Sequence, residues 1–211
     1  MPPALLVIAK EPVAGRVKTR LTPPCTPEQA ARLAAAAIAD TLAAASASTR
    51  AARRVLVLEG RPGPWIPHGF EVIPQRGEGL AERLAAAFAD AGAPAFLVGM
   101  DTPQVTTAEL DAGLDALSER ASVLGAALDG GYWGIGLRDA DPRVFEGVPM
   151  SAAHTGAVQR ARLTALGLQP AMLPPLLDVD TIEDARAVAR TAPDGRFAQA
   201  LAAIEPEAQA A

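Results

Sequence analysis

Three groups of charged residues, far apart in the chain, have the types and spacings that phosphate and metal chemistry needs. Asp101 follows the apolar run Ala95-Phe96-Leu97-Val98 and stands within Gly99-Met100-Asp101-Thr102-Pro103. A run of that length fits a buried parallel strand. The acid then sits at the strand's carboxyl end, where open α/β sheets bind ligands and where a carboxylate can hold a hydrated divalent cation and, through it, a phosphate. The competing reading is an acid that caps a turn into the next helix.

The loop 10–20 carries four cations in eleven residues, Lys10, Arg16, Lys18 and Arg20, around Gly15. Backbone N–H groups and cations in such a loop can converge on an anion and neutralise a di- or triphosphate. It lacks the glycine spacing and the terminal Gly-Lys-Ser/Thr of a Walker loop. A solvated charged loop is the alternative. In 178–184, Asp178 and Asp180 flank Val179, so an extended backbone points both carboxylates to one side, as two donors to one cation require. Asp180 or Thr181 with Glu183 and Asp184 would equally make a helix N-terminus.

Asp129-Gly130-Gly131-Tyr132-Trp133 is a fourth candidate. Its glycines permit close backbone approach to a ligand, and Tyr132 or Trp133 could pack on a sugar or base. A tight hairpin turn with buried aromatics is the competing reading. His68 and His154 are isolated and read as surface or capping residues, although His154 follows the turn at Met150-Ser151 and could approach a cleft.

The elements that must position these residues alternate along the chain. Strands are expected at 4–9, 54–58, 70–74, 95–98, 123–128 and 132–137, with an extended segment at 170–177. Helices are expected at 27–45, from 80 to about 88, from Thr106 or Thr107 onward with Leu110, Leu114 and Leu117 on one face, at 151–166, and from the acidic turn to about 190. This pattern predicts an α/β three-layer sandwich, a mostly parallel Rossmann-like sheet with a small antiparallel part. A single domain is expected over 1–192, followed in 193–211 by a short helix and a poorly ordered Ala/Glu/Gln tail.

The formal charge of −5 is spread without a basic run, which argues against nucleic acid as a partner and for small ligands. Cys25 is the only cysteine, so no internal disulfide is possible and a passive thiol in a reducing compartment is expected. No apolar run is expected to reach membrane-spanning length, and no leader is recognised ahead of the first strand, so the expectation is a cytoplasmic protein. Nothing in the sequence selects an oligomeric state.

Five stretches in order resemble the small bacterial GT-A-fold transferases grouped as DUF2064, also called radical-SAM/selenodomain-associated transferase 1. They are Ala9-Lys10-x-Pro12-x-x-Gly15-Arg16-Val17-Lys18-Thr19-Arg20-Leu21, Gln75-x-Gly77 with Leu80-x-x-Arg83-Leu84, Gly99-x-Asp101-Thr102-Pro103, Asp129-Gly130-Gly131-Tyr132, and Asp178-Val179-Asp180-Thr181-x-Glu183-Asp184. The same superfamily includes the guanylyltransferases that activate phospholactate or phosphoenolpyruvate and the molybdenum-cofactor nucleotidyltransferases. The resemblance implies a nucleotide-binding half in which Lys10, Gly15, Arg16, Lys18 and Arg20 hold phosphates. Gln75, Gly77 and Arg83 would complete nucleotide binding, Gly77 and its neighbours lying near the base. It implies Mg2+ or Mn2+ on Asp101, Asp178 and Asp180, an acceptor near Gly130, Gly131 and Tyr132, and direct roles in transfer for Asp101, Lys18 and Arg16. Departures from the family pattern fall at Met100, Gln104 and Pro149-Met150-Ser151. The implied activity is transfer from a nucleotide-activated donor, a nucleotide sugar, to a small-molecule acceptor. An NTP-consuming nucleotidyltransferase and a non-catalytic nucleotide-binding module are the alternatives.

Overall fold

The apolar runs form a seven-stranded sheet whose alternating side chains feed two cores. The computed structural model describes residues 3–208. In chain order the elements are β1 (Ala4–Lys10), α1 (Pro27–Ala47), β2 (Arg53–Glu59), β3 (Phe70–Pro74), α2 (Leu80–Ala91), β4 (Ala95–Gly99), α3 (Thr107–Glu119), β5 (Ser122–Ala127), β6 (Tyr132–Leu137), α4 (Thr155–Ala165), β7 (Ala171–Leu176), α5 (Ile182–Thr191) and α6 (Arg196–Ala208). Short 3-10 turns lie at Thr19–Leu21 and Pro142–Val144. The strand order is β3-β2-β1-β4-β6-β5-β7. β6 runs antiparallel to both β4 and β5, while the other pairings are parallel. This is the expected three-layer α/β sandwich with a small antiparallel part.

Leu5, Val7, Phe96 and Val98 face α1 and α3, whereas Leu6, Val55 and Leu97 face α2 and α4. This is the period-two alternation of strands covered on both faces. A third cluster joins the outer face of α1 to α5 and α6 through Leu33, Ala37, Val188, Phe197 and Leu201.

Helix starts follow side-chain chemistry. Thr26 with Gln29, Thr106 with Glu109, and Thr181 with Asp184 each close a capping box, satisfying backbone donors that the first turn leaves open. The last of these resolves the acidic turn: Thr181 and Asp184 cap α5, so neither Asp178 nor Asp180 is needed for that duty.

Three expectations change. α4 begins at Thr155 rather than Ser151, because Ser151 adopts a left-handed backbone (φ 60°) and the Ala152 N–H donates to the Thr155 hydroxyl at 3.0 Å, forming a turn in place of a helical one. α6 runs further than a short helix, since Phe197, Leu201 and Ile204 are buried and Asp40 accepts from the Phe197 N–H at 2.8 Å; the end of the expected tail, 209–211, lies outside the described residues. α1, with 21 residues and a mean hydropathy of 1.2, is by length and composition long and apolar enough to cross a membrane. Its Leu33, Ala34, Ala37, Ile38 and Leu42 are committed to the cores on either side of it.

The Trp133 indole is committed to the core. It is 2% exposed, meets Phe96 edge-on at 5.8 Å between ring centroids, and donates its indole N–H to the Pro174 carbonyl at 3.0 Å. The indole lies over Gly125, where an added Cβ would overlap it. Gly125→Ala should therefore destabilise the fold by about 1–3 kcal/mol through overpacking, read as a lower urea midpoint at unchanged slope.

Candidate active site

A parallel sheet delivers the ends of its strands to one edge. Here β1, β2, β3, β4, β5 and β7 finish there, and the reversed β6 starts there. Lys10, Glu59, Gln75, Asp101, Asp129, Tyr132 and Asp178 stand at or just beyond those ends. The chain turns to opposite sides after β1, which lies between β2 and β4, so the edge beside β1 is the switch point at which open α/β sheets bind ligands. A cleft of about 820 Å³ opens along it, walled by Lys10, Arg16, Lys18, Arg20, Gln75 and Arg83, and across from them by Asp101, Gly131, Tyr132, Asp178 and Asp180.

Lys18 lies at the centre. Its side chain is 6% exposed, and its ammonium meets the Asp101 Oδ1 at 2.6 Å and donates to the Val179 carbonyl. The Val179 N–H donates to the Asp101 carbonyl at 2.9 Å. The Thr102 hydroxyl, fully buried, donates to the Asp178 Oδ1 at 3.0 Å. Burial pushes the Asp178 carboxyl up to about 6; the negative charges of Asp101 and Asp129 act in the same direction, against the Thr102 hydrogen bond and the Lys18 charge. Asp180 also faces the cleft, as its alternation with the buried Val179 predicts, but Arg20 holds it at 2.6 Å.

The β2–β3 end is a polar network. Glu59 pairs with Lys10 at 3.4 Å and with Arg83. Burial draws the Glu59 carboxyl up, yet the Arg83 hydrogen bond and the two cations together hold it below the ordinary range. The Gln75 amide donates to the Ala9 carbonyl at 2.8 Å and the Val57 carbonyl at 3.2 Å, so its orientation is fixed. Gly15 and Gly77 shape the adjoining turns without lining the cleft; Gly77 accepts from Arg83 Nε at 3.2 Å.

At the opposite end the Gly130-Gly131 turn lies against the start of α4. A Cβ at Gly130 would overlap the Ala153 carbonyl, and the Gly156 N–H donates to the Gly130 carbonyl at 2.8 Å. Gly130 thus supports the wall from behind, and Gly131 and Tyr132 form it with Met150, Ser151 and Thr155. The Tyr132 hydroxyl meets the Met150 sulfur at 3.8 Å, and burial raises its pKa. His68 and His154 are exposed and neither lines the cleft.

Thr102 and Asp129 stand inside the motifs read from sequence but receive no role of their own there. Each is adjacent to a residue that was selected, and each acts on Asp178 only through the folded chain. Met150 and Ser151 carry a signal in the sequence as departures from the family pattern beside the expected acceptor region, and both line the cleft.

Residues 29–152 match DUF2064, a family of uncharacterized proteins conserved in bacteria. The chain belongs to this family. No curated protein matches it. Among solved structures, a protein from Desulfovibrio desulfuricans G20, named provisionally as a nucleotide-diphospho-sugar transferase, is 26% identical with a TM-score of 0.85, covering 99% of this chain and 96% of that one. CMP:2-keto-3-deoxy-manno-octonic acid synthetase in complex with CTP is 12% identical with a TM-score of 0.57, over 92% and 100% of the two chains. Rv0371c from Mycobacterium tuberculosis H37Rv, in complex with manganese, is 23% identical with a TM-score of 0.51, over 90% and 98%. The fold of this DUF2064 member is that of nucleotide-using transferases.

The donors present fit a divalent ion in one particular way. Among the described residues, no group of three or more His, Cys, Asp and Glu side chains is close enough to hold a metal ion by itself. Asp101 lies close enough for its charge to be felt at Asp178, and both offer hard oxygen. One or two carboxylates completed by substrate phosphates and water is the usual protein contribution to a Mg2+ site. The geometry fits that open pair, with Asp180 beside it on Arg20, better than a closed three-carboxylate cage.

Asp178 also makes stability depend on pH. Its folded pKa of about 6 exceeds the roughly 3.9 of an unfolded aspartate. The raised proton affinity therefore favours the folded state fully below about pH 4 and is lost as pH rises through 6. With a chelator present, the stability of the wild type relative to Asp178→Asn should fall by about 1–3 kcal/mol from pH 4 to pH 7, measured by urea unfolding of both proteins at each pH.

Proposed function

We propose that this protein is a metal-dependent transferase that moves a glycosyl group from a nucleotide sugar to a small-molecule acceptor. The observation that carries the reading is the meeting of Asp101, Asp178 and Lys18 in mid-cleft, between the cationic β1 loop and the wall built by Gly131, Tyr132 and Ser151. The description given to the Desulfovibrio protein supports a nucleotide sugar as donor. Mg2+ or Mn2+ on Asp101 and Asp178 would supply charge neutralisation on the donor's phosphates.

Lys10, Arg16 and Lys18 hold those phosphates from the β1 loop and stabilise the negative charge that grows on the leaving diphosphate. Arg20 adds a fourth cation while keeping Asp180 in place. Gln75 and Arg83, fixed by their own hydrogen bonds, form the end that receives the rest of the nucleotide. The Tyr132 wall aligns the acceptor with the donor, so that the acceptor's own hydroxyl attacks the anomeric carbon as the sugar–diphosphate bond breaks, its proton passing to solvent, without a protein nucleophile.

A second reading, nucleotidyl transfer with release of pyrophosphate, is favoured by one observation: all four loop cations line the cleft, a charge better matched to a triphosphate than to a diphosphate. The experiment is an incubation with Mg2+ or Mn2+, a panel of NTPs and nucleotide sugars, and a broad set of acceptors. Nucleoside diphosphate release supports glycosyl transfer, pyrophosphate alone transfers the assignment to the second reading, and binding without either product makes the protein a nucleotide-binding module. Asp101→Asn keeps an oxygen for Lys18 and should weaken metal-dependent nucleotide binding by about tenfold or more, about 1.4 kcal/mol. Because the Asp101 side chain is half exposed, the thermal midpoint should move by only about 2–4 °C.

A further inference from the structure

Lysine occurs in this chain only at positions 10 and 18, and arginine fills every other strongly basic position. Both lysines line the cleft. The two cations differ physically. Arginine presents a rigid planar fork suited to one bidentate partner, whereas lysine carries a compact point charge with three rotatable donors on a flexible stem. Lys10 is half exposed and rests on Glu59. Lys18 is buried, and its ammonium lies on Asp101 Oδ1, beside Asp178, with the Val179 carbonyl as its other acceptor. Its backbone is left-handed, at φ 48° and ψ 37°, a region that side-chain-bearing residues seldom adopt, and it aims the stem across the cleft from the β1 loop to the β4 and β7 loops.

A divalent ion bound by Asp101 and Asp178 needs the carboxylate that the ammonium now holds. We propose that Lys18 is a tethered cation that stands in for the divalent ion in the free protein and swings onto the donor's phosphate on binding, so that one side chain couples metal entry to nucleotide binding. This rests on the metal- and nucleotide-dependent reading above. A metal ion arriving alone must either share the Asp101 carboxylate with the ammonium, against like-charge repulsion, or break the 2.6 Å ion pair and leave a buried ammonium with a single carbonyl partner, which is unfavourable. When a nucleotide is present, its phosphate oxygens accept the displaced ammonium in charge-assisted hydrogen bonds. The coupling must be reciprocal, each ligand strengthening the other.

The test is a Mn2+ titration of the full chain, followed by electron paramagnetic resonance, alone and with ADP, CDP, GDP and UDP in turn. Lys18→Met should tighten Mn2+ binding without nucleotide by about fivefold or more. Lys10→Met, which removes a cation from the same cleft but not from Asp101, should have a smaller effect. Equal tightening by both variants would reduce the role of Lys18 to the general field of the cleft and overturn the proposal. Nucleotide-strengthened Mn2+ binding with Lys18→Met no tighter than wild type would overturn this proposal alone; Mn2+ binding that no diphosphate strengthens would overturn the functional reading with it.

The wild type provides a check that needs no Lys18 variant to fold. Labelling with 15N-lysine gives two side-chain ammonium signals, assigned with Lys10→Met. Saturation with Mg2+ alone should shift the Lys18 signal more than the Lys10 signal, and an unmoved Lys18 signal would refute displacement.

Discussion

The backbone of Val179 ties the site together. Its N–H reaches the carbonyl of Asp101 on the β4 loop, its carbonyl takes the ammonium of Lys18 from the β1 loop, and its side chain is buried with Leu21, Cys25 and the inner faces of α5 and α6. One residue thus holds three loops from distant parts of the chain. Because side chains alternate in an extended segment, burying Val179 obliges Asp178 and Asp180 to face the cleft. The third core cluster therefore does more than attach the last helices to α1: it sets the depth at which the two acids are presented.

That placement concentrates charge. Asp101 and Asp129 bring their negative charges to Asp178, whose burial already disfavours ionisation, and the Lys18 ammonium beside them comes from the β1 loop. Two residues with left-handed backbones, Lys18 and Ser151, border this cleft. Strain of this kind persists where surrounding contacts over-determine it. At Lys18 those contacts are the ion pair to Asp101 and the bond to Val179; at Ser151 they are the hydrogen bonds that the Thr155 hydroxyl makes to the Ala152 N–H and the Pro149 carbonyl. Both contact sets lie at loop ends, so the strain is carried by the segments that would meet donor and acceptor while the sheet beneath stays regular.

The sequence was legible where the signal is local. Apolar runs bounded by glycine and proline marked the strands to within a residue or two, and Thr106 with Glu109 marked a helix start through a capping box that the structure contains. The cationic loop and the acid at the β4 end were visible because residue type and strand polarity suffice to place them. What stayed hidden depends on contacts across the chain. Asp180 and Asp178 are equivalent in sequence, yet one is held by Arg20 and the other, half-buried, by the Thr102 hydroxyl. Tyr132 and Trp133 are adjacent aromatics, and only the reversal of β6 between β4 and β5 decides that Tyr132 turns to the cleft while the Trp133 indole covers Gly125. The membrane-length apolar character of α1 likewise has its cause in tertiary structure, since a helix buried on two sides carries apolar residues around more of its circumference.

The reversal of β6 also separates the two halves of the cleft by how they are built. The side beside β1 rests on parallel strands whose loops are pinned by ion pairs and by Val179, so a change of one residue there disturbs several others. The Tyr132 wall rests on a hairpin turn docked against the start of α4, through the Gly130 carbonyl and the Gly156 N–H and through close packing that leaves no room for a Cβ at Gly130. Met150 and Ser151 project from that dock into the cleft. The two sides of the cleft therefore differ in what holds them, charge pairs on one and backbone hydrogen bonds with close packing on the other.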